Sequence, residues 1–397
     1  MDLKEESLKL HRDNNGKLEV KSKVKIENQH DLSLAYTPGV AYACKEIEKN
    51  KDDAYLYTSK SNMVAVITDG SAVLGLGNIG PYAAIPVMEG KSILMKELAG
   101  VDSIPICLKT QDVEEIIKTV KYLEPTLGAI NLEDISAPRC VEIERRLIKE
   151  MDIPVFHDDQ HGTSIIVAAA FLNVERLTKK PLKDMTVVMS GTGAAGSMIA
   201  KMLKRIGVGK IYAFDITGVI DKKKYDSYNF LIKELIDEGT YDTPEIHDNT
   251  LASIMKNANA FIGVSAPNLV SKDMVKSMAK DAVVFAMANP VPEISYDDAK
   301  EAGAYIVGSG RSDYPNQINN VLAFPGLFKG ALKVRAKKIN EEMKLAAAYA
   351  IANIIKDNEL SIDYIVPGAF DKRVVEEVSK AVSEAAIKTG VARITKF

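Results

Sequence analysis

The segment Met185–Asp215, MTVVMSGTGAAGSMIAKMLKRIGVGKIYAFD, reads as a strand, a glycine turn, a helix and a second strand. Its turn, Gly191-Thr192-Gly193-Ala194-Ala195-Gly196, matches the pattern G-x-G-x-x-G. Glycines in such a turn let the backbone approach a pyrophosphate, and the helix that follows directs the positive end of its dipole at the phosphates. The segment therefore predicts a Rossmann-type dinucleotide-binding domain, and the alternative is a purely structural glycine turn.

The end of the second strand indicates which dinucleotide binds. Asp215 follows the last glycine by about twenty residues, the spacing of the acid that binds the ribose hydroxyls in such domains. Ile216 comes next and no Arg or Lys is adjacent, which favours NAD. Lys222, Lys223 and Lys224 lie close enough in the sequence to leave NADP open.

Upstream, the segment Asn131–Thr163, NLEDISAPRCVEIERRLIKEMDIPVFHDDQHGT, carries two acidic pairs, each after a strand-like apolar run. The pairs are Glu133-Asp134 and Asp158-Asp159. Because the carboxyl ends of parallel strands share one edge of a sheet, we expect the four carboxylates to converge there. Oxygen ligands of this kind suit Mg²⁺ or Mn²⁺. The alternative is that the acids only cap the helices that follow them.

The two histidines of the motif HDDQH raise the question of zinc. His157 and His161 stand four residues apart, a spacing that suits zinc when both lie on one helix. Pro154 and Gly162 argue against one helix that covers both, and no cysteine or third histidine lies nearby. We therefore favour the oxygen-ligated ion over zinc.

The composition is that of an ordinary globular protein: of 397 residues, 46% are hydrophobic and 26% are charged. A net charge of −3 provides no basic surface for nucleic acid or an anionic membrane. The longest apolar stretches, around Ile165–Leu172 and Leu345–Ile355, are too short to span a bilayer. Cys44, Cys107 and Cys140 show no pairing or metal-binding spacing, which predicts a reducing, cytoplasmic location.

The succession of apolar strands and amphipathic helices predicts an α/β fold with two doubly wound domains and a cleft between them. The polar joint KKPLKD places the boundary near Pro181, so that residues 1–180 form an N-terminal domain and residues 181–397 the dinucleotide-binding domain. Two alanine-rich helical regions, 330–355 and 373–389, are expected to pack back over the first domain or over a partner subunit.

Two residues of the first domain are candidates for proton transfer. Tyr36 lies in the motif YTPG. The ordinary alternative to a role in proton transfer is that its ring packs against the protein and its hydroxyl is exposed. Lys91, after a predicted helix in MEGKSIL, would ordinarily extend its charge to the surface, but desolvation would lower its pKa and make it a usable base. The glycine run 75–80 predicts a tight strand-to-helix loop that lines the cleft. Asn289 ends a predicted strand and Asn320 lies just before VLAFPG, and asparagine at such places is often only a turn former.

Together, the motifs resemble those of the malic enzymes, in the short form typical of bacteria. In family order they are LAYTPGVA, ITDGSAVLGLGNIGP, VMEGK, NLEDI, FHDDQHGT, GTGAAG, ANPVPEI and GRSDYPNQINNVLAFPG. The resemblance implies oxidative decarboxylation of (S)-malate to pyruvate and CO₂, with reduction of NAD or NADP. It also implies a required divalent cation, decarboxylation of oxaloacetate, and a homodimer.

The resemblance further implies roles for individual residues. Glu133, Asp134 and Asp159 look like the metal ligands. Lys91 looks like the base that takes the proton of the C2 hydroxyl, Tyr36 like the acid that protonates C3 of enolpyruvate, and Asp158 like the aspartate that positions the lysine. Asn289 and Asn320 are similar to asparagines that contact the substrate or the nicotinamide.

One position departs from the family pattern. Larger relatives carry an arginine within TDG-x-R-x-LG that binds a substrate carboxylate, whereas this chain has Ala72 there. Either another cation replaces the arginine, with Arg311 as our candidate, or backbone N–H groups and asparagines bind the carboxylate.

Two alternatives to an NAD(P)-reducing malic enzyme are kept. The first is a malolactic-type decarboxylase that retains its NAD and forms lactate. The second is a dinucleotide or malate sensor without catalysis, which would have no need of Tyr36, Lys91 and the acidic triad together.

Overall fold

Two largely parallel sheets, one in each half of the chain, form the framework of the protein. The computed structural model describes residues 2–73, 75–245 and 248–396. The first half contains the strands β1 (Met63–Thr68), β2 (Asp102–Cys107), β3 (Ala129–Leu132) and β4 (Val155–His157). Its helices are α1 (Leu3–Asp13), α2 (Gln29–Ala35), α3 (Val40–Lys49), α4 (Ala54–Tyr57), α5 (Gly80–Ala99), α6 (Val113–Leu123), α7 (Arg139–Glu150) and α8 (Asp158–Thr178).

The strand order of the first sheet, β2-β1-β3-β4, brings the acidic segments together. All neighbours are parallel, and Leu132 is in register with both Ile67 of β1 and His157 of β4. The residues that follow β3 and β4 therefore leave the sheet side by side at its carboxyl edge. This pairing places Glu133 next to Asp158.

The second half forms the six-stranded sheet β10-β9-β8-β5-β6-β7, in which only the β6–β7 pair is antiparallel. Its strands are β5 (Thr186–Ser190), β6 (Lys210–Asp215), β7 (Gly218–Val219), β8 (Ala260–Gly263), β9 (Val283–Ala286) and β10 (Ile306–Ser309). The helices between them are α9 (Ala194–Arg205), α10 (Phe230–Asp237), α11 (Leu251–Met255), α12 (Lys272–Lys276) and α13 (Tyr296–Glu301). The order reverses at β5, which creates the crevice where Rossmann-type sheets bind dinucleotides.

Helix α8 joins the two halves. Its residues from Ser164 to Val174 are all buried, as expected for an apolar helix that packs on every side. Helix α8 packs against α9. Its Phe171 ring also packs edge-to-face against the ring of Phe285 of β9, with 5.6 Å between the ring centroids. One continuous core therefore extends from the first sheet into the second.

Three C-terminal helices, α14 (Phe324–Lys333), α15 (Glu341–Ile354) and α16 (Lys372–Lys388), complete the described chain. Helix α14 packs on α5, α15 packs on α8, and α16 packs on both α14 and α15. The predicted helical region 330–355 is two helices, because the chain turns at Arg335, whose φ is +47°. Gly330 brings α14 close to α16, since a Cβ there would lie 2.6 Å from the carbonyl oxygen of Ser379.

The predicted α/β class and the Rossmann-type second sheet are confirmed. The division into domains near Pro181 remains a prediction, and α8 ends at Thr178, just before it. Lys91 was predicted to follow a helix, and this is wrong: α5 runs from Gly80 to Ala99, so Lys91 lies inside it. Within the described residues, no helix is long and apolar enough to cross a membrane.

Candidate active site

Three carboxylates cluster at the carboxyl edge of the first sheet. Glu133 and Asp134 directly follow β3, and Asp159 lies in the first turn of α8. Each offers one carboxylate oxygen, and these oxygens lie within 4.8 Å of one another. The sequence prediction that both acidic segments converge at this edge is therefore met by the geometry.

Backbone contacts hold the cluster in place. The N–H of Asp134 donates to Oδ2 of Asp159 at 2.8 Å, which joins the two acidic segments directly. The carbonyl of Asp134 accepts from the N–H of Ala72 at 3.0 Å, so the loop after β1 also supports the cluster. Asn131 donates its side-chain amide to Oε2 of Glu133 at 2.7 Å.

Lys91 is buried in α5 and directs its ammonium group at these acids. Its Nζ lies 2.6 Å from Oδ2 of Asp158 and 3.0 Å from Oε1 of Glu133. The ring of Phe324 also contacts the ammonium group of Lys91, with 4.3 Å between Nζ and the ring centroid. Asn320 donates to the same Oδ2 of Asp158 at 2.6 Å. The surface alternative for Lys91 is thus excluded, and Asp158 is shared between Lys91 and Asn320.

The charges of this site are unbalanced. Burial alone would lower the pKa of Lys91, but the carboxylates of Asp158, Glu133 and Asp159 outweigh burial, so its pKa lies above the usual value. The expectation of a lowered pKa for Lys91 is therefore wrong. Burial and mutual repulsion raise the pKa of Glu133 and of Asp158 to about 7 in spite of Lys91. Lys91 therefore faces the buried Glu133 and Asp158 and the partly exposed Asp159. With Asp134 beside them, these acids have the chemistry of a divalent-cation site with oxygen ligands.

A second buried network, which the sequence reasoning missed, supports the acidic segment from behind. Glu144 of α7 accepts from the N–H of His157 at 2.8 Å and from the amide of Gln160 at 3.1 Å. It also lies 2.9 Å from Nε2 of His161, whose ring contacts Nζ of Lys344 at 3.0 Å. The histidines therefore differ in role. His161 is part of this network of side-chain contacts, whereas burial lowers the pKa of His157 to about 4 and keeps it neutral.

A signal for Glu144 does exist in the sequence. The buried face of α7 includes Cys140, Glu144 and Leu147, which are spaced four and three residues apart. An acid within an apolar stripe of this spacing indicates a buried charge that needs partners. The partners themselves come from α8 and α15, which sequence spacing does not reveal.

The dinucleotide turn lies between β5 and α9, as predicted. Gly191 has a φ of +104°, a conformation that favours glycine. A Cβ on Gly196 would lie 2.0 Å from the carbonyl oxygen of Gly191, so the turn closes only without a side chain there. Asp215 ends β6, and its carboxylate accepts from the hydroxyls of Thr192 at 3.0 Å and Thr217 at 2.7 Å.

Three predicted site residues lie away from the acidic cluster or at its margin. Tyr36, at the end of α2, is 67% exposed, and within the described part of the chain its hydroxyl makes no hydrogen bond. Asn289 follows β9 in a loop that reaches the loop after β1, where a Cβ on Gly75 would lie 3.4 Å from Pro290. Arg311 makes a two-pronged ion pair with Asp313 at 2.6 and 2.8 Å.

Comparison with known families agrees with this geometry. A family model of the malic enzyme N-terminal domain matches residues 15–148, and a model of the malic enzyme NAD-binding domain matches residues 160–391. This chain belongs to the malic enzyme family. The first model covers Lys91, Glu133 and Asp134 and the second covers the glycine turn, whereas Asp158 and Asp159 lie between the two matched regions.

Individual malic enzymes resemble the chain over nearly its whole length. The bifunctional malic/malolactic enzyme of Bacillus subtilis is 55% identical, covering 100% of this chain and 96% of the relative. The NAD-dependent malic enzyme of Geobacillus stearothermophilus is 52% identical, covering 95% of this chain and 78% of the relative. The solved structure of the NAD-dependent malic enzyme from Thermotoga maritima superimposes with a TM-score of 0.90 at 46% identity, covering 95% and 98% of the two chains.

Replacement of Glu144 by Ala should strongly destabilise the fold, because it leaves the ring of His161, the amide of Gln160 and the N–H of His157 buried without their shared acceptor. Breaking such a buried pair costs about 3–5 kcal/mol, which would lower the urea midpoint of unfolding. Glu142→Ala, on the exposed side of the same helix, is the matched control and should change the midpoint little. Equal midpoints for the two variants would contradict the importance of the network.

The effect of Glu144 should also depend on pH. Burial raises the pKa of Glu144, but His161 and Lys344 outweigh burial and hold it at about 2, below its usual 4.5. A lowered pKa contributes stability above pH 4.5 that is lost as the pH falls towards 2. The wild type should therefore have a higher urea midpoint than Glu144→Ala above pH 4.5, and this difference should become smaller as the pH is lowered from 4.5 towards 2.

Proposed function

We propose that this malic enzyme converts (S)-malate to pyruvate and CO₂ while it reduces NAD. The observation that carries the proposal is the cluster of Glu133, Asp134 and Asp159 beside the buried Lys91, at a sheet edge that meets the dinucleotide domain. The loop of Asn289 and Pro290 and the contact of Asn320 with Asp158 bring the second half of the chain to this edge. A substrate bound at the cluster would therefore lie within reach of a nicotinamide ring.

The residues divide the chemistry between them. Lys91 accepts the proton of the C2 hydroxyl as hydride leaves C2 for the nicotinamide, and Asp158 and Asn320 hold Lys91 in place. A divalent cation held by Glu133, Asp134 and Asp159 would supply a Lewis acid for the C2 oxygen, and Mg²⁺ and Mn²⁺ suit these oxygen ligands. The same positive charge would offset the carboxylates that now hold the pKa of Lys91 high, which makes Lys91 a better base. Decarboxylation of oxaloacetate would use the same groups.

Cofactor selectivity should lie with Asp215. A carboxylate at the end of β6 accepts hydrogen bonds from a ribose 2′-hydroxyl but repels a 2′-phosphate, which supports NAD over NADP. Lys222 and Lys223 are exposed in a short 3-10 helix that lies beyond β7. Because these lysines could bind a 2′-phosphate, we expect NADP to be used as well, but less efficiently than NAD.

We propose a homodimer in which the second copy covers an N-terminal face, defined here by Leu34, Tyr36, Tyr42 and Tyr57. Helices α2, α3 and α4 contain no buried residue within the described chain, although they carry these large side chains. Apolar groups exposed together in this way mark an interaction surface, and twofold pairing of identical copies is the commonest arrangement. Tyr36, the proposed acid for C3 of enolpyruvate, would become buried by this pairing.

A malolactic side activity is the second candidate function. It is supported by the 55% identical Bacillus subtilis relative, which is described as a bifunctional malic/malolactic enzyme. In that case lactate would appear beside pyruvate, because the reduced nicotinamide would return its hydride before release.

The location we propose is the cytoplasm, which the three free cysteines favour.

Arg311 remains our candidate for the missing family arginine at Ala72. Arg311 would have to release the carboxylate of Asp313 and bind the carboxylate of malate in its place. Arg311→Ala should then raise the KM for malate, and an unchanged KM would leave the backbone N–H groups and asparagines as the ligands.

The reaction is tested by the absorbance of the reduced nicotinamide with malate and Mn²⁺. We expect reduction of NAD to be faster than that of NADP, and EDTA to abolish both. Chromatography of the products should give pyruvate as the main product. Reduction that persists in EDTA would contradict the metal site, and lactate without net reduction would favour the malolactic function.

The role of Lys91 is tested by Lys91→Ala. Loss of a general base should lower kcat by about 100- to 10,000-fold, whereas Mn²⁺ binding, measured by electron paramagnetic resonance, should persist. Lys96→Ala is the matched control, because Lys96 lies on the same helix but is exposed and paired with Asp102. Near-normal turnover by Lys91→Ala would remove Lys91 from the mechanism.

The dimer is tested by Tyr42→Glu, which places a charge on the N-terminal face. Light scattering should show a dimer for the wild type and a monomer for this variant. Tyr122→Glu is the control, because Tyr122 on α6 is equally exposed, with 71% for both residues, but lies outside the N-terminal face. A monomeric wild type, or a dimer that Tyr42→Glu leaves intact, would overturn the proposed interface.

A further inference from the structure

Glu293 is a completely buried carboxylate beyond the end of β9, and the mechanism above does not use it. Its exposed fraction is 0%. Within residues 2–73, 75–245 and 248–396 it forms no ion pair with a Lys, Arg or His side chain. Burial of a carboxylate without a cation is costly, so the groups that do contact it must compensate for the lost water.

The compensating groups belong to two different loops. Oε1 of Glu293 accepts from the backbone N–H of Ser265 at 2.8 Å and from its hydroxyl at 3.4 Å. Oε2 accepts from the backbone N–H of Ala288 at 3.1 Å. Ser265 follows β8 and Ala288 follows β9, so a single side chain ties together the loops at two neighbouring strand ends. Hydrogen bonds to an ionised acceptor are stronger than those between neutral groups.

Two further contacts extend the connection. The hydroxyl of Ser265 lies 2.8 Å from that of Ser190, the residue before the glycine turn. Gly263, the last residue of β8, leaves room for the carboxylate, since a Cβ there would lie 2.3 Å from Cδ of Glu293. Glu293 therefore sits at the centre of a network that joins the carboxyl ends of β5, β8 and β9.

The strand order places this network beside one half of the dinucleotide. In a Rossmann-type sheet the dinucleotide lies across the point where the strand order reverses, here between β5 and β8. Asp215, at the end of β6, marks the ribose on the adenine side, and the N-terminus of α9 marks the pyrophosphate. The nicotinamide half must then lie over the ends of β8 and β9, on the loops that Glu293 holds. Asn289 is the residue directly after Ala288.

We propose that Glu293 is a positioning residue for the nicotinamide half of the cofactor. Its carboxylate fixes the two loops that form this half of the site and so sets the place of Asn289 without contact with the cofactor. The inference rests on the dinucleotide binding in the proposed function. It does not depend on the metal site or on the substrate.

Glu293→Gln tests the proposal. The amide has one acceptor oxygen, and its NH₂ group faces a backbone N–H donor, so the variant can hold only one of the two loops. Calorimetric titration should show binding of NADH weakened by about tenfold or more, the effect of losing roughly 1.4 kcal/mol. Binding of ADP-ribose, which lacks the nicotinamide, should change by less than about twofold. Glu301→Gln, the same substitution on the exposed side of α13, should leave both affinities unchanged.

Each other outcome has a distinct meaning. Equal weakening of NADH and ADP-ribose would show general damage to the domain and overturn the proposal, and so would no change in either affinity. A wild type that binds neither ligand would instead overturn the dinucleotide binding on which the proposal rests. If Glu293→Gln does not fold, Glu293→Asp keeps the charge but is too short to reach both loops. It should show the same selective loss of NADH, and equal affinities for the wild type and Glu293→Asp would refute the positioning role.

Discussion

Repulsion between buried carboxylates is the constraint on which the site depends. Glu133, Asp134, Asp158 and Asp159 meet at one sheet edge because β3 and β4 are adjacent and parallel. Burial raises the pKa of Glu133 and of Asp158, the neighbouring acids raise it further, and Lys91 offsets only part of this, so both pKa values are about 7. This repulsion supports the divalent cation proposed above, because one cation would offset the excess charge and could be shared by three ligands.

The same constraint explains much of the surrounding structure. A buried site of like charges holds its shape only if the backbone around it cannot relax, and two networks provide this rigidity. Glu144 fixes the segment before Asp158 from the side of α7, and it connects through His161 to Lys344 of α15. On the cofactor side, Glu293 fixes the loops after β8 and β9. In both networks a buried acid accepts from backbone N–H groups at strand ends. Glu144 binds His157 at the end of β4, whereas Glu293 binds the loops after β8 and β9.

Sequence reasoning predicted those parts of the site that depend on local order along the chain. The glycine turn, Asp215 and the two acidic pairs follow directly from strand ends that can be recognised by their apolar runs. Lys91 was identified as a candidate, but its position inside α5 and its raised pKa were not, because both depend on acids that approach from other elements. Glu293 escaped notice altogether, since nothing in ANPVPEI indicates that its carboxylate is buried and bonded to Ser265, twenty-eight residues away.

The sequence by itself determined the α/β class, the dinucleotide turn and the acidic segments, because periodicity and turn chemistry act between residues near one another in the chain. Only the tertiary structure decided which charges meet, since the partners of Lys91, Glu144 and Glu293 lie on separate elements. It also decided that α14, α15 and α16 pack on α5 and α8, and that α2, α3 and α4 keep their large side chains exposed. These outcomes depend on how all the apolar surfaces of the chain are buried together, which no single segment specifies.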